Sequence, residues 1–178
     1  MDEPSLVKKC IKGDQRAQRV LFEKFAPKML GVCLRYTKNI EEAEDVLQDG
    51  FIKVFTKMHL YQGGGSLEGW IRKVIVNTAL DNIRRNHKYR DNIAVELVDY
   101  KLEDHGYIIE GLIEEDLLKL INTMPLGYKT VFNMFAIEGF SHKEIAKELN
   151  ISENTSKSQY ARARAYLKTK LEELGIER

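Results

Sequence analysis

The stretch FSHKEIAKELNISENTSKSQYARARAYLK, from Phe140 to Lys168, reads as two helices separated by a tight turn. Ser141 and Glu144 have the spacing of a capping box, in which each side chain satisfies a backbone N–H at the start of the first helix. Ile145, Ala146 and Leu149 then share one face, with Ala146 small where two helices must approach closely. Asn150 falls at the turn, where a left-handed backbone is expected and asparagine tolerates it better than most residues. Ser152 is placed to cap a longer helix that turns Ser156, Tyr160, Ala163 and Leu167 inward. Its outer face holds Asn154, Lys157, Ser158, Ala161 and Arg162. Lysine and arginine contact phosphates or guanine edges, serine and asparagine read base edges, and a small alanine permits close approach to a thymine methyl. Any surface helix carries cations, and near a C-terminus they complement the helix dipole. The capped first helix, the small residue and the turn, all in register, favour a helix-turn-helix that recognises DNA.

Helical periodicity dominates the rest of the chain, with no clear alternating run. Leu6, Val7, Cys10 and Ile11 form a first stripe, and Gly13-Asp14 reads as a stop followed by an N-cap. A second helical region is expected to about Thr37, with Ala17, Leu21, Phe25, Met29, Leu30 and Cys33 inward and a kink or division at Pro27. From Ile40 to Met58, Ala43, Leu47, Phe51, Val54, Phe55 and Met58 recur at helical spacing. The glycines of YQGGGS, Tyr61 to Ser66, impose a loop. Ser66 then caps a helix with Leu67, Trp70, Ile71, Val74, Ile75 and Ile83 on its buried side. The pattern fades between about His87 and Ile109, which is polar, acidic and tether-like. It returns with Ile113, Leu117, Leu120 and Ile121, breaks at Met124-Pro125, resumes through Val131, Phe132 and Phe135, and stops at Gly139. The expected fold class is all-α: two small helical domains, 1–90 and 110–178, joined by a flexible acidic linker, 91–109, with the helix-turn-helix in the second.

At 178 residues, with 43% hydrophobic and 31% charged residues, the chain suits one good core or two small ones. No apolar run approaches the roughly 20 residues that span a bilayer, so no membrane insertion is expected. The N-terminus MDEPSLVKKC has no basic segment followed by an apolar stretch, which points to the cytoplasm. Cys10 and Cys33 lack CxxC spacing and read as small buried hydrophobes. His59, His87, His105 and His142 are scattered, and neither they nor the cysteines suggest a metal or cofactor site. Net charge is only +1, but its distribution is uneven. Positive charge gathers at Arg72 to Arg90 and Lys157 to Lys170, negative charge at Glu41 to Asp49 and Asp91 to Asp116.

On the Ile40 to Met58 helix, Glu41, Asp45, Gln48, Asp49 and Ile52 share the face away from the core. That mixture suits docking to an arginine-rich protein, although a solvated face is the plainer reading of the spacing alone. A carboxylate metal site there lacks a histidine. On the Ser66 to Arg85 helix, Lys73, Asn77 and Arg84 recur at i, i+4 and i+11, flanked by Arg72 and Arg85. Such a face either grips nucleic acid or is simply solvated.

EDVLQDGFIKVF (Glu44 to Phe55), GSLEGWIRKVIVNTALDNIRR (Gly65 to Arg85), MPLGYKTVFNMF and the helix-turn-helix resemble, in order, successive regions of an extracytoplasmic-function (ECF) sigma factor of the sigma-70 family. The resemblance covers almost the whole chain. It implies a non-enzymatic factor that binds core RNA polymerase, recognises the promoter −35 and −10 elements and promotes DNA melting. It places Asp45, Gln48, Asp49 and Ile52 against the polymerase clamp. It gives Lys73, Asn77, Arg84 and Arg85 to the −10 region and makes Gln62, Gly63, Gly64, Gly65, Ser66 and Leu67 a cradle for a flipped base. Asn154, Lys157, Ser158, Ala161 and Arg162 would enter the −35 major groove, and the acidic tether would run through polymerase channels. Members of the family are often held by an anti-sigma protein, a further candidate partner. Phe55 stands where the family often has tryptophan, the loop is unusually rich in glycine, and Ser156 replaces a common buried valine, which is expected to weaken packing slightly. The alternative reading is a helix-turn-helix regulator that acts without being a polymerase subunit.

Overall fold

The computed structural model describes residues 2–86 and 114–175, and every described element is helical. The expected linker at 91–109, together with Ile113, lies outside the described residues. The chain divides into two compact units, Met1–His87 and Lys88–Arg178. No described helix is long and apolar enough to cross a membrane.

The first unit packs four helices: α1 (Glu3–Ile11), α2 (Gln15–Leu34), α3 (Ile40–Lys57) and α4 (Leu67–Asn86), with a 3-10 turn at Met58–Leu60. Each start has a local chemical cause. Gly13 takes φ +78° and Asp14 accepts the Ala17 N–H at 3.0 Å, opening α2. Asn39 accepts the Glu42 N–H at 2.8 Å to open α3, and Ser66 accepts that of Gly69 at 3.1 Å to open α4. The core joins Leu6 and Cys10 to Leu21, Met29 and Cys33, to Phe51 and Val54, and to Leu67, Ile71, Ile75 and Leu80. Gly50 marks the close approach of α3 to α4, because a Cβ there would run into the Cδ1 methyl of Ile75. Burial pushes the Cys33 thiol up to about 12, and burial followed by the nearby Asp14 charge raises that of Cys10.

Several expectations need correction. Pro27 does not divide α2, which runs through it as one helix and stops at Leu34, short of Thr37. The proline sits on the exposed side, where solvent can take the carbonyl it leaves without a donor, while Phe25, Ala26 and Met29 are buried around it. Leu30, Phe55, Trp70 and Val74 are half-buried rather than interior, and Ile11 is 48% exposed. Val46, Val76, Ala79 and Leu80 fill core places that the coarse periodicity passed over.

The second unit contains α5 (Glu114–Thr123), α6 (Leu126–Phe132), a π turn (Asn133–Ile137), α7 (His142–Leu149) and α8 (Glu153–Glu173). Leu120, Ile121, Met124, Tyr128 and Phe132 pack on Ala163 and Leu167 of α8. The Tyr166 hydroxyl donates to the Thr123 carbonyl at 2.9 Å and ties α8 to the end of α5. The π turn, unforeseen in sequence, leaves Phe135 half-buried, and Gly139 at φ +77° ends the segment.

Candidate nucleic-acid and protein interfaces

The turn between α7 and α8 is built from local hydrogen bonds. Both arms of the capping box are present: Ser141 accepts the Glu144 N–H at 3.2 Å, and the Glu144 carboxylate accepts the Ser141 N–H at 2.8 Å. Asn150 takes φ 54°, ψ 48°, and the Ile151 N–H reaches back to the Ala146 carbonyl at 3.0 Å. Ser152 then accepts the Thr155 N–H at 2.9 Å. Two capped helices therefore meet at one left-handed residue, the local geometry of a helix-turn-helix.

On α8, Asn154, Lys157 and Ser158 are exposed, whereas Ala161 and Arg162 are half-buried. The opening turns thus present their polar groups most openly. Ser158 donates its hydroxyl to the Thr155 carbonyl at 3.0 Å, which leaves its oxygen an acceptor toward solvent. On the inner side Ser156, Ala163 and Leu167 are buried, but Tyr160 is only half-buried. Gln159, which the sequence reading passed over, is also buried, and its Oε1 has no hydrogen-bond partner among the described residues. Its helical phase beside Ser156 was the available signal.

In the first unit the loop Gln62–Ser66 is exposed along its length, while Leu67 is fully buried. Leu67 anchors the loop from below and offers no surface to a ligand. Tyr61, outside the sequence-derived contact set, donates its hydroxyl to the Gly65 carbonyl at 2.7 Å and lies 5.7 Å from the Trp70 ring. An aromatic residue at the shoulder of a glycine run was the signal for that clip. Along α4, Lys73 is exposed and Asn77 half-buried, with an Oδ1 that is buried and has no partner among the described residues. Arg84 bonds Asp81 at 2.6 Å, and Lys53 reaches the other Asp81 oxygen at 2.9 Å.

Asp45, Gln48, Asp49 and Ile52 line the outside of α3, and Ile52 is 63% exposed. Asp49 lies 3.7 Å from Arg85 of α4. The structure therefore brings one residue assigned to protein docking beside one assigned to DNA. Among the described residues, no three His, Cys, Asp or Glu side chains gather into a group that could hold a metal ion.

Comparison with known proteins accounts for this pairing of units. The profile described as sigma-70 region 2 matches residues 21–89, and that described as sigma-70, region 4 matches residues 114–167. The chain is 26% identical to RNA polymerase sigma-H factor of Pseudomonas aeruginosa, covering 97% of this chain and 95% of the relative. It is 27% identical to the ECF RNA polymerase sigma factor SigW of Bacillus subtilis, covering 94% and 96%. Among solved structures, the Bartonella quintana sigma factor RpoE in complex with the anti-sigma factor NepR is similar in fold, with a TM-score of 0.55 and 22% identity over 90% of this chain and 98% of that one. CnrH in complex with the cytosolic domain of CnrY gives a TM-score of 0.52 and 20% identity over 94% and 95%.

The two helical units, matched in order to regions 2 and 4, define a polymerase-associated factor that directs initiation at promoters. The chain belongs to the sigma-70 family, and within it to the ECF sigma factors.

Proposed function

We propose that the first unit docks on core RNA polymerase through Asp45, Gln48, Asp49 and Ile52. On the same unit, Lys73, Asn77, Arg84 and Arg85 engage the −10 element, and the Gln62–Ser66 loop receives a base extruded from the duplex. The second unit reads the −35 element through Asn154, Lys157 and Ser158, with Ala161 and Arg162 further along the groove. Phosphate contacts from the cations supply affinity and position, and the uncharged polar groups supply sequence preference. Strand opening costs roughly a few kcal/mol per unstacked base, and holding an extruded base on the loop offsets part of that cost. The factor itself performs no covalent chemistry, since nucleotide addition belongs to the polymerase. It works in the cytoplasm, and an anti-sigma protein is a fitting partner, because the RpoE of similar fold is in complex with the anti-sigma factor NepR, as CnrH is with the cytosolic domain of CnrY.

One observation supports this most directly: each unit matches a sigma-70 region, and each presents cations on a helix outside its core. Runoff transcription with bacterial core polymerase on a promoter library tests it. Specific initiation that disappears with Asp45→Arg is the expected result. Tight, salt-resistant binding to an operator without polymerase, unaffected by Asp45→Arg, would instead identify an independent helix-turn-helix regulator.

A further inference from the structure

Ser156 is fully buried near the start of α8, and its Oγ lies 2.9 Å from Nδ1 of His142, the first residue of α7. The His142 ring stacks on Phe135, with centroids 4.2 Å apart and planes inclined by 13°. Tyr160 stands against both, 4.5 Å from the Phe135 ring and 6.0 Å from that of His142. The imidazole is thus held twice. Phe135 fixes its plane, and the Ser156 hydroxyl fixes its rotation within that plane. Either neutral tautomer keeps the bond, because a hydroxyl both donates and accepts.

The position of this contact gives it consequences. Ser156 lies between Asn154 and Lys157, on the opposite side of the turn that faces outward. A helix with its side chains has a radius of about 5–6 Å, so a rotation of about 20° displaces an outer polar atom by about 2 Å. Base-edge hydrogen bonds tolerate about 0.5 Å. An apolar residue in place of Ser156 would fill the space without specifying direction. Two hydrogen-bonding atoms joined across α7 and α8 do specify it.

We infer that His142 and Ser156 are a positioning pair that sets the rotation of α8 against α7, and thereby the base preference of Asn154, Lys157 and Ser158. The inference rests on the reading of α8 as the −35 helix.

The test uses the full chain with bacterial core RNA polymerase on a promoter library randomised at the −35 and −10 elements. The variants are Ser156→Val, His142→Phe and the two combined. Replacing both partners by apolar groups removes the bond without leaving a buried polar atom alone, so the double variant keeps its fold and is checked by thermal melting. All three are expected to lose about fivefold or more of discrimination at one or more −35 positions while keeping the −10 profile of the parent. A purely structural role would lower output evenly at both elements. A folded double variant with the parental −35 profile overturns the inference alone. A parent protein without any −35 preference overturns the inference and the assignment of α8 together.

Discussion

Asp49 of α3 and Arg85 of α4 face each other across the outside of the first unit, with Oδ2 3.7 Å from Nη2. Both side chains are more than half exposed, so solvent screens the pair and its contribution to folding is at most about 1 kcal/mol. Asp49→Ala should therefore leave the urea midpoint nearly unchanged, read from Trp70, the single tryptophan of the chain. Affinity for core polymerase should fall by about tenfold or more if the carboxylate meets a desolvated cation there. Fluorescence melting and a binding titration together separate the two effects, and undiminished binding would remove Asp49 from the docking face.

The close approach at Gly50 leads to a stability prediction. Valine at this position would push against Ile75, which is fully buried and has little room to yield. Gly50→Val should destabilise the first unit by about 1–3 kcal/mol, despite the better intrinsic helix propensity of valine. Equilibrium urea unfolding followed at Trp70 measures this. An unchanged or raised midpoint would show that α3 and α4 separate more easily than their packing suggests.

Asn150 links a backbone angle to the orientation of α8. At φ 54° an alanine meets the Cβ penalty of the left-handed region, about 1–2 kcal/mol, whereas glycine does not. Asn150→Ala should accelerate hydrogen exchange of the α7 and α8 amides in the full chain, and Asn150→Gly should change it little. Equal effects of the two substitutions would contradict a role for the backbone angle.

His142 predicts a pH dependence. Burial lowers its proton affinity, the neighbouring Lys157 lowers it further, and Glu153 opposes both. Its folded-state pKa therefore lies below the ordinary 6.5, so the unfolded chain takes up the proton first as pH falls. The contribution to stability is complete above the unfolded pKa and diminishes below it, until the folded form is protonated as well. Exchange at α7 and α8 should be faster at about pH 5.5 than at pH 7.5, after correction for intrinsic rates, and His142→Phe should reduce that difference. An identical pH response in the variant would exclude His142 as its source.

Much of the helix-turn-helix was legible because its determinants are local. Ser141 with Glu144, Asn150 and Ser152 each act within a few residues, through hydrogen-bond geometry or backbone sterics that sequence spacing encodes directly. The outward placement of Asp45, Asp49 and Lys157 followed from helical phase. Contacts between helices were not legible in this way. The pairs His142–Ser156 and Asp49–Arg85, and the meeting of Gly50 with Ile75, depend on how separate helices rotate against one another. The division expected at Pro27 did not occur because the proline lies on the exposed side of α2, and burial on the other side holds the helix together. Ser156 was expected to weaken packing slightly. A histidine fourteen residues earlier gives its hydroxyl a partner.

The two thiols enclosed in the first unit have a practical corollary. The thiolate is the form that reacts, and Cys10 and Cys33 are both kept from ionising inside the bundle. Alkylating reagents and peroxide meet them only when α1 or α2 lifts away, so the rate of their labelling times the opening of the bundle. Oxidants are thereby left without a handle on the folded protein at these two positions.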